Sequence, residues 1–224
     1  NFVLPISHDE VVHMKGSLRG KMPGDDWQQL AGVRAFTAYL LAHPGKKLTF
    51  MGAELGQWHE WNFASQLDWY LLENKENQQT QRFFKDINHF YLSQSPLWDI
   101  DFSWEGFEWL VADDNHNNVV VFVRRDRKGR ELIAAVNFSP VGRADYRFGV
   151  PPKKIYREVF TTDLPAYGGT GDWCNEGELL TESIPSHGKP CSLCVTIPPL
   201  GAVFFAGEGE WQEEKKPTSE PSEL

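Results

Sequence analysis

Hydrophobic residues in the first part of the chain form two kinds of pattern: short unbroken runs and residues at helical spacing. Short apolar runs at residues 2–7 and 48–51 end at polar side chains and Gly-rich loops, a pattern typical of buried strands. Apolar residues at helical spacing follow each run and predict helices over 27–41 and 78–93. Two strand–helix units in succession predict a parallel sheet. Because two parallel strands alone would leave an exposed edge, we interpret them as the last part of a larger α/β sheet or barrel.

The pattern changes to short β-type runs in the second part of the chain. Seven apolar runs separated by turn residues predict antiparallel strands, with no obvious acid pair among them. The predicted strands cover 107–112, 118–125, 131–138, 144–150, 154–161, 192–197 and 201–207. The predicted fold class is therefore α/β followed by all-β: a barrel portion at 1–95, an independent antiparallel β-sandwich domain at 96–207 and a disordered polar tail at 208–224.

Composition narrows the class of protein. With 224 residues, 41% of them hydrophobic and nine of them Trp, the chain has enough apolar material for the cores of two globular domains. A formal net charge of -9 without a Lys/Arg stripe argues against nucleic acid or an anionic membrane surface as the main partner. No apolar run approaches the length of a transmembrane helix. The chain begins at Asn1 inside a predicted strand, which suggests a fragment of a longer protein.

Two segments have only part of the spacing of a metal site. His8 and His13 of "HDEVVH" are five positions apart and would diverge by roughly 140° on a helix, so one zinc ion does not fit both. Cys191 and Cys194 of "CSLC" lie in a predicted strand, where residues three apart point to opposite faces. We therefore predict packing roles for these cysteines, and neither a metal site nor a cofactor.

Three titratable residues, His8, Asp9 and Glu10, follow the first predicted strand directly. The carboxyl ends of parallel strands are where α/β barrels place their catalytic groups. Because successive side chains of a strand point to opposite sides, at most one of Asp9 and Glu10 is expected to face a pocket. Glu54 follows the second predicted strand, so we expect it on the same rim as Asp9.

The segments "LPISHDEVVH", "KGSLRGKMPGD", "HPGKKLTFMGAELGQWHEWN" and "LDWYLLE", in this order, resemble the final barrel segments of bacterial-type glycogen branching enzymes, members of the α-amylase superfamily. The β region, with "EGFEWLVADD", "VNFSP" and "YGGTG", is similar to the carboxyl-terminal domain of these enzymes. The resemblance covers almost the whole chain except the tail. It implies the last two βα units of a (β/α)₈ barrel followed by an all-β domain. The sequence departs from the family at Met14, where members carry Gly.

The resemblance also implies a chemistry for His8 and Asp9, which match a family pair that binds the sugar hydroxyls in the cleavage subsite, with Asp9 as a transition-state stabiliser. Hydrogen bonds that strengthen in an oxocarbenium-like state accelerate glycosyl transfer, and a carboxylate near developing positive charge helps further. In the family the nucleophile and the acid/base follow earlier strands, and no segment here matches either. We therefore expect the 224-residue chain alone to be inactive.

The implied function of the full-length protein is a cytoplasmic glycosyltransferase of glycogen biosynthesis with a retaining mechanism, which cleaves α-1,4-glucan and transfers the chain to a 6-hydroxyl to form α-1,6 branches. A related α-glucan or trehalose-releasing hydrolase and a non-catalytic glucan-binding module are the alternatives. Glu54 and Trp58 are further candidates for binding substrate, with a helix cap and domain packing as the respective structural alternatives. The sequence specifies no oligomeric state.

Overall fold

The computed structural model describes residues 3–152 and 155–208. Two long helices occupy the first half of the chain, α1 at Asp26–Ala42 and α2 at Lys75–Ser93. Both predicted helices are confirmed, and α2 begins three residues earlier than its apolar pattern indicated.

Local chemistry explains where α1 begins and ends. The Asp25 carboxylate accepts the N–H of Gln28 at 2.8 Å, and the Gln28 side chain accepts the N–H of Asp25 at 3.0 Å. This reciprocal cap satisfies two backbone donors at the start of the helix. At the other end, His43 is extended because the residue before a proline, here Pro44, is disfavoured in helical conformation.

The second half of the described chain is built from β-strands. All seven predicted strands are present, and a two-residue strand is added between the fifth and sixth of them. The strands are β1 Phe107–Asp114, β2 Val119–Arg125, β3 Glu131–Asn137, β4 Arg143–Val150, β5 Ile155–Thr161, β6 Leu179–Leu180, β7 Cys191–Ile197 and β8 Gly201–Glu208.

The strands form two antiparallel sheets. Six of them pair in the order β1-β2-β3-β8-β5-β6, and β4 pairs with β7. Apolar side chains between the two sheets form one core, which includes Val121, Ile133 and Phe205 from the larger sheet and Phe148 and Leu193 from the smaller one. The predicted antiparallel β-sandwich is therefore confirmed.

The opposite face of the six-stranded sheet packs against α1 and α2. Alternate residues of its central strands, such as Phe122, Leu132 and Phe204, enter a second core that also contains Phe83 and Phe90 of α2. Because successive side chains of a strand point to opposite faces, the unbroken apolar runs of these strands supply apolar residues to both faces of this sheet. The helices cover one face of the main sheet, so the β domain shares this core with the first part of the chain. The independence of the β domain stays a prediction.

The two predicted parallel strands are not formed within the described residues. Residues 3–7 and 46–50 form no strand ladder with any described residue, and Leu48 and Met51 are exposed. An apolar run indicates burial, but a strand also needs a neighbouring backbone for its N–H and C=O groups. The predicted tail lies outside the described residues except for Glu208, which ends β8.

Candidate functional site

A single 3₁₀ turn carries His8, Asp9 and Glu10, and Ser7 caps it. The Glu10 carboxylate folds back and accepts the Ser7 N–H at 2.7 Å and the Ser7 hydroxyl at 2.8 Å. Both bonds hold the pKa of Glu10 below its usual value, and the bond from the backbone N–H has the larger effect. Glu10 therefore fixes the turn.

Asp9 and His8 form the polar end of this turn. The Asp9 carboxylate is 70% exposed, and its Oδ1 lies 3.1 Å from Nε2 of His8. The rings of Phe50 and Trp61 each lie 6.3 Å from the His8 ring, between centroids. Aromatic packing thus orients His8, while the carboxylate of Asp9 remains accessible to a ligand.

A tight loop follows the turn and is held by one carboxylate. Glu60 accepts the N–H of Met14 at 2.9 Å and the N–H of Gly16 at 2.7 Å, and these two bonds lower the pKa of Glu60. His13 and Met14 both have positive φ, 56° and 66°. A left-handed conformation costs a residue with a side chain about 1–2 kcal/mol, so Gly would be less strained than Met at position 14.

A cleft of about 760 Å³ opens beside Asp9. One wall is the segment 8–13 and the other is the loop 57–68, with Trp61 and the 86% exposed Phe63 among its lining residues. Exposed aromatic rings beside carboxylates and imidazoles offer both an apolar face and hydrogen-bonding groups. The cleft can therefore bind a polyhydroxylated ring such as a sugar.

The loop that forms the second wall is closed by Gln57, which is buried. Its amide oxygen accepts the N–H of Asp68 at 3.2 Å, and its amide nitrogen donates to the carbonyl of His59 at 3.1 Å. His59 Nδ1 in turn lies 2.7 Å from Oδ2 of Asp68. These bonds place an imidazole–carboxylate pair in the cleft that contains Asp9.

Glu54 does not line this cleft. Its carboxylate accepts the N–H of Gly52 at 2.9 Å and so caps the short turn Ala53–Leu55, the structural alternative named for this residue. The structure therefore does not bring Glu54 to the rim occupied by Asp9.

Trp58 lies in a second cleft, of about 490 Å³, between the starts of the two helices and the β domain. The Arg19 guanidinium covers its ring at 4.6 Å from the centroid. Trp27 lines the same cleft and donates its indole N–H to the carbonyl of Gly168 at 2.8 Å. Trp58 is thus separated from Asp9 and lies beside another partly exposed indole.

Sequence reasoning missed His59 and Asp68. The segment "QWHEWNFASQLDW" contains both, but their contact spans nine positions and depends on the closure of the loop by Gln57. A polar segment rich in aromatic residues after a predicted strand is the one signal that marks this loop in the sequence.

The β domain has a match among known protein families. Residues 109–208 match the family described as alpha amylase, C-terminal all-beta domain. Eubacterium rectale Amy13B has a similar fold, with a TM-score of 0.54 at 13% identity over 88% of this chain and 37% of that chain. An alpha-amylase from H. orenii aligns with a TM-score of 0.47 at 16% identity, over 82% of this chain and 36% of that chain.

One relative matches almost the whole chain and not the β domain alone. The 1,4-alpha-glucan branching enzyme GlgB of Aquifex aeolicus (strain VF5) is 50% identical over 210 residues, or 93% of this chain. The resemblance to branching enzymes that the sequence motifs indicated is thereby confirmed. The chain spans about a third of the length of that relative, 33%.

Two further features concern membranes and metals. Within the described ranges, neither helix is long and apolar enough to cross a bilayer. In the same part of the chain, no three His, Cys, Asp or Glu side chains are grouped as metal ligands would be.

Proposed function

We propose that this chain is the carboxyl-terminal portion of a 1,4-α-glucan branching enzyme. The observation that carries the proposal is the 50% identity to GlgB across 93% of the chain. In the proposed reaction the full-length enzyme cleaves an α-1,4-glucan chain, holds it as a covalent glycosyl-enzyme and transfers it to a 6-hydroxyl. Retention requires a nucleophilic carboxylate and an acid/base about 5–5.5 Å apart, which we assign to the portion of the enzyme that this chain does not span.

Asp9 and His8 have defined roles in this proposal. The exposed Asp9 carboxylate accepts hydrogen bonds from hydroxyls of the sugar whose bond is cleaved, and His8 donates or accepts a neighbouring one. Because positive charge develops on that sugar only in the transition state, the negative charge of Asp9 favours the transition state over the ground state. The role proposed for Asp9 is thus in turnover more than in binding.

We also propose that residues 1–95 are the last two βα units of a (β/α)₈ barrel. An apolar cavity lined by Ile6, Phe36, Phe50 and Met51 lies beside the two unpaired segments. Further parallel strands packed there would pair these segments and cover the exposed Leu48 and Met51. The fold similarity to Amy13B extends over 88% of this chain and therefore includes most of residues 1–95.

The proposed partner is α-1,4-glucan or glycogen. We place one contact at the Asp9 cleft and a second at the cleft of Trp58 and Trp27, where two partly exposed indoles suit stacking on glucose rings. The net charge of -9 supports a neutral polymer over nucleic acid or an anionic membrane. We keep the cytoplasm as the proposed compartment, on the basis of the resemblance to branching enzymes.

Incubation of the full-length enzyme with amylose tests the reaction. Branching lowers the absorbance of the amylose–iodine complex without a matching release of reducing ends, whereas hydrolysis releases reducing ends in proportion. We expect the first result for the full-length enzyme and neither change for the 224-residue chain alone. Abundant reducing ends from the full-length enzyme would favour the hydrolase alternative, and branching by the chain alone would refute the proposed division of catalytic groups.

A further inference from the structure

His59 and Asp68 form a fixed pair in the Asp9 cleft. The Asp68 side chain is largely buried, 18% exposed, whereas the His59 side chain is 73% exposed. Gln57 ties the backbone of both residues to one buried amide. The carboxylate thus belongs to the rigid wall of the cleft, and the imidazole is the part that reaches solvent.

The hydrogen bond between the two residues determines which imidazole atom can bind a ligand. Nδ1 of His59 lies 2.7 Å from Oδ2 of Asp68, so Nδ1 carries the proton that it donates. Nε2 forms no hydrogen bond with any described residue and is left as an acceptor in the neutral ring or a donor in the charged ring. A hydroxyl group matches either state, since it both donates and accepts.

Stability is a poor explanation for this arrangement. An ion pair with one exposed member contributes little to the free energy of unfolding, because solvent screens it and holding the exposed ring costs entropy. The same arrangement does suit a binding group, since orientation by a buried carboxylate reduces the entropy lost when a ligand binds. Its position on the wall opposite residues 8–13 puts it within the same cavity as Asp9.

We propose that His59, oriented by Asp68, binds a hydroxyl of a glucose unit next to the one that Asp9 contacts, and so positions the α-1,4-glucan chain in the cleft. The inference rests on the proposed function for the identity of the ligand. His59 is a positioning residue for the bound chain, with Asp68 acting through it.

Two substitutions of His59 separate its two nitrogens. In His59→Asn the amide nitrogen takes the place of Nδ1 and keeps the bond to Asp68, but the atom facing the ligand is lost. In His59→Gln the amide end takes the place of Nε2 and retains a hydrogen-bonding group there. His89→Asn, an exposed histidine on α2 that does not line the cleft, is the matched control.

The test is steady-state kinetics of the full-length enzyme on amylose. We expect His59→Asn to raise KM about fivefold to tenfold with kcat nearly unchanged. This change in KM corresponds to the loss of one net hydrogen bond to the bound glucan. His59→Gln should recover most of that loss, and His89→Asn should match wild type. The double variant His59→Asn with Asp68→Asn should raise KM no more than the more severe of its two single variants, because Asp68 acts through His59.

An unchanged KM in His59→Asn, a fall in kcat alone, or equal losses in His59→Asn and His59→Gln would each overturn the inference. KM of each variant can be measured for hydrolysis, from the release of reducing ends, as well as for branching. An enzyme that only hydrolyses would therefore contradict the proposed function and leave the role of His59 measurable.

Discussion

At the scale of single residues, the least expected feature is a buried arginine between the β domain and α1. The Arg124 side chain is 0% exposed and donates to the Ala42 carbonyl at 2.7 Å and to Asp101 at 2.7 Å, with a third bond to the Gly106 carbonyl. Arg124 belongs to β2, and its guanidinium therefore provides a donor from the sheet for a carbonyl at the end of α1 that has no partner within the helix. Sequence patterns do not reveal such a residue, because arginine is rarely buried completely.

Replacing Arg124 with Met should lower the free energy of unfolding by about 3–5 kcal/mol, because Asp101 and the Ala42 carbonyl would remain buried without this partner. Urea unfolding of the chain monitored by circular dichroism measures the change. Arg127→Met is the control, since Arg127 is 73% exposed and its ion pair with Asp99 should contribute under about 1 kcal/mol. Equal effects of the two substitutions would refute the role assigned to Arg124.

Lys47 makes the stability depend on pH. Burial lowers the pKa of Lys47 to about 8, while its ammonium donates to the His43 carbonyl. Between about pH 8 and the ordinary lysine pKa near 10.4, the unfolded chain binds the proton more strongly than the folded chain, so this residue adds stability as pH rises. The unfolding free energy of wild type relative to Lys47→Met should therefore increase across that range. A difference that stays flat, or a Lys47 side chain that titrates above about pH 10 by NMR, would contradict the assignment.

Among the elements, the helices and the antiparallel strands could be predicted because local sequence signals mark each of them. Helix α1 follows from the acidic cap at Asp25 and the stop at Pro44, and β2 and β3 follow from unbroken apolar runs. The segments at 3–7 and 46–50 have the same kind of run, but pairing depends on neighbours that the pattern does not contain. The pair His59–Asp68 was missed for a related reason, since loop closure is a tertiary property.

Isolating the β domain tests how far it depends on the helices. A polypeptide of residues 96–208 would expose the face of the main sheet that carries Phe122, Leu132 and Phe204. We expect it to bind a hydrophobic dye or to aggregate, whereas the 224-residue chain should remain monodisperse under the same conditions. A soluble domain of 96–208 with unfolding as cooperative as that of the whole chain would show that the shared core is dispensable.

At the scale of the whole molecule, the described chain has three layers: the two helices, the six-stranded sheet and the two-stranded sheet. Shared cores join these layers, so the β domain packs against α1, which lies in the sequence between the two segments of the Asp9 cleft. The proposed substrate contacts of the Asp9 cleft lie in the segment before α1 and in the loop 57–68. We infer that the β domain acts in catalysis through support of this scaffold, because the geometry of a site is held more precisely on rigid elements.

We propose that Asp9 favours the transition state of glucan transfer in the full-length enzyme. The direct measurement compares branching turnover and glucan affinity of Asp9→Asn with those of wild type, with Asp113→Asn, an exposed carboxylate of β1, as the matched control. We predict that Asp9→Asn lowers kcat by about 10²-fold or more while glucan binding changes by no more than about threefold, and that Asp113→Asn changes neither. Wild-type kcat in Asp9→Asn, or a loss confined to glucan binding, would contradict this account.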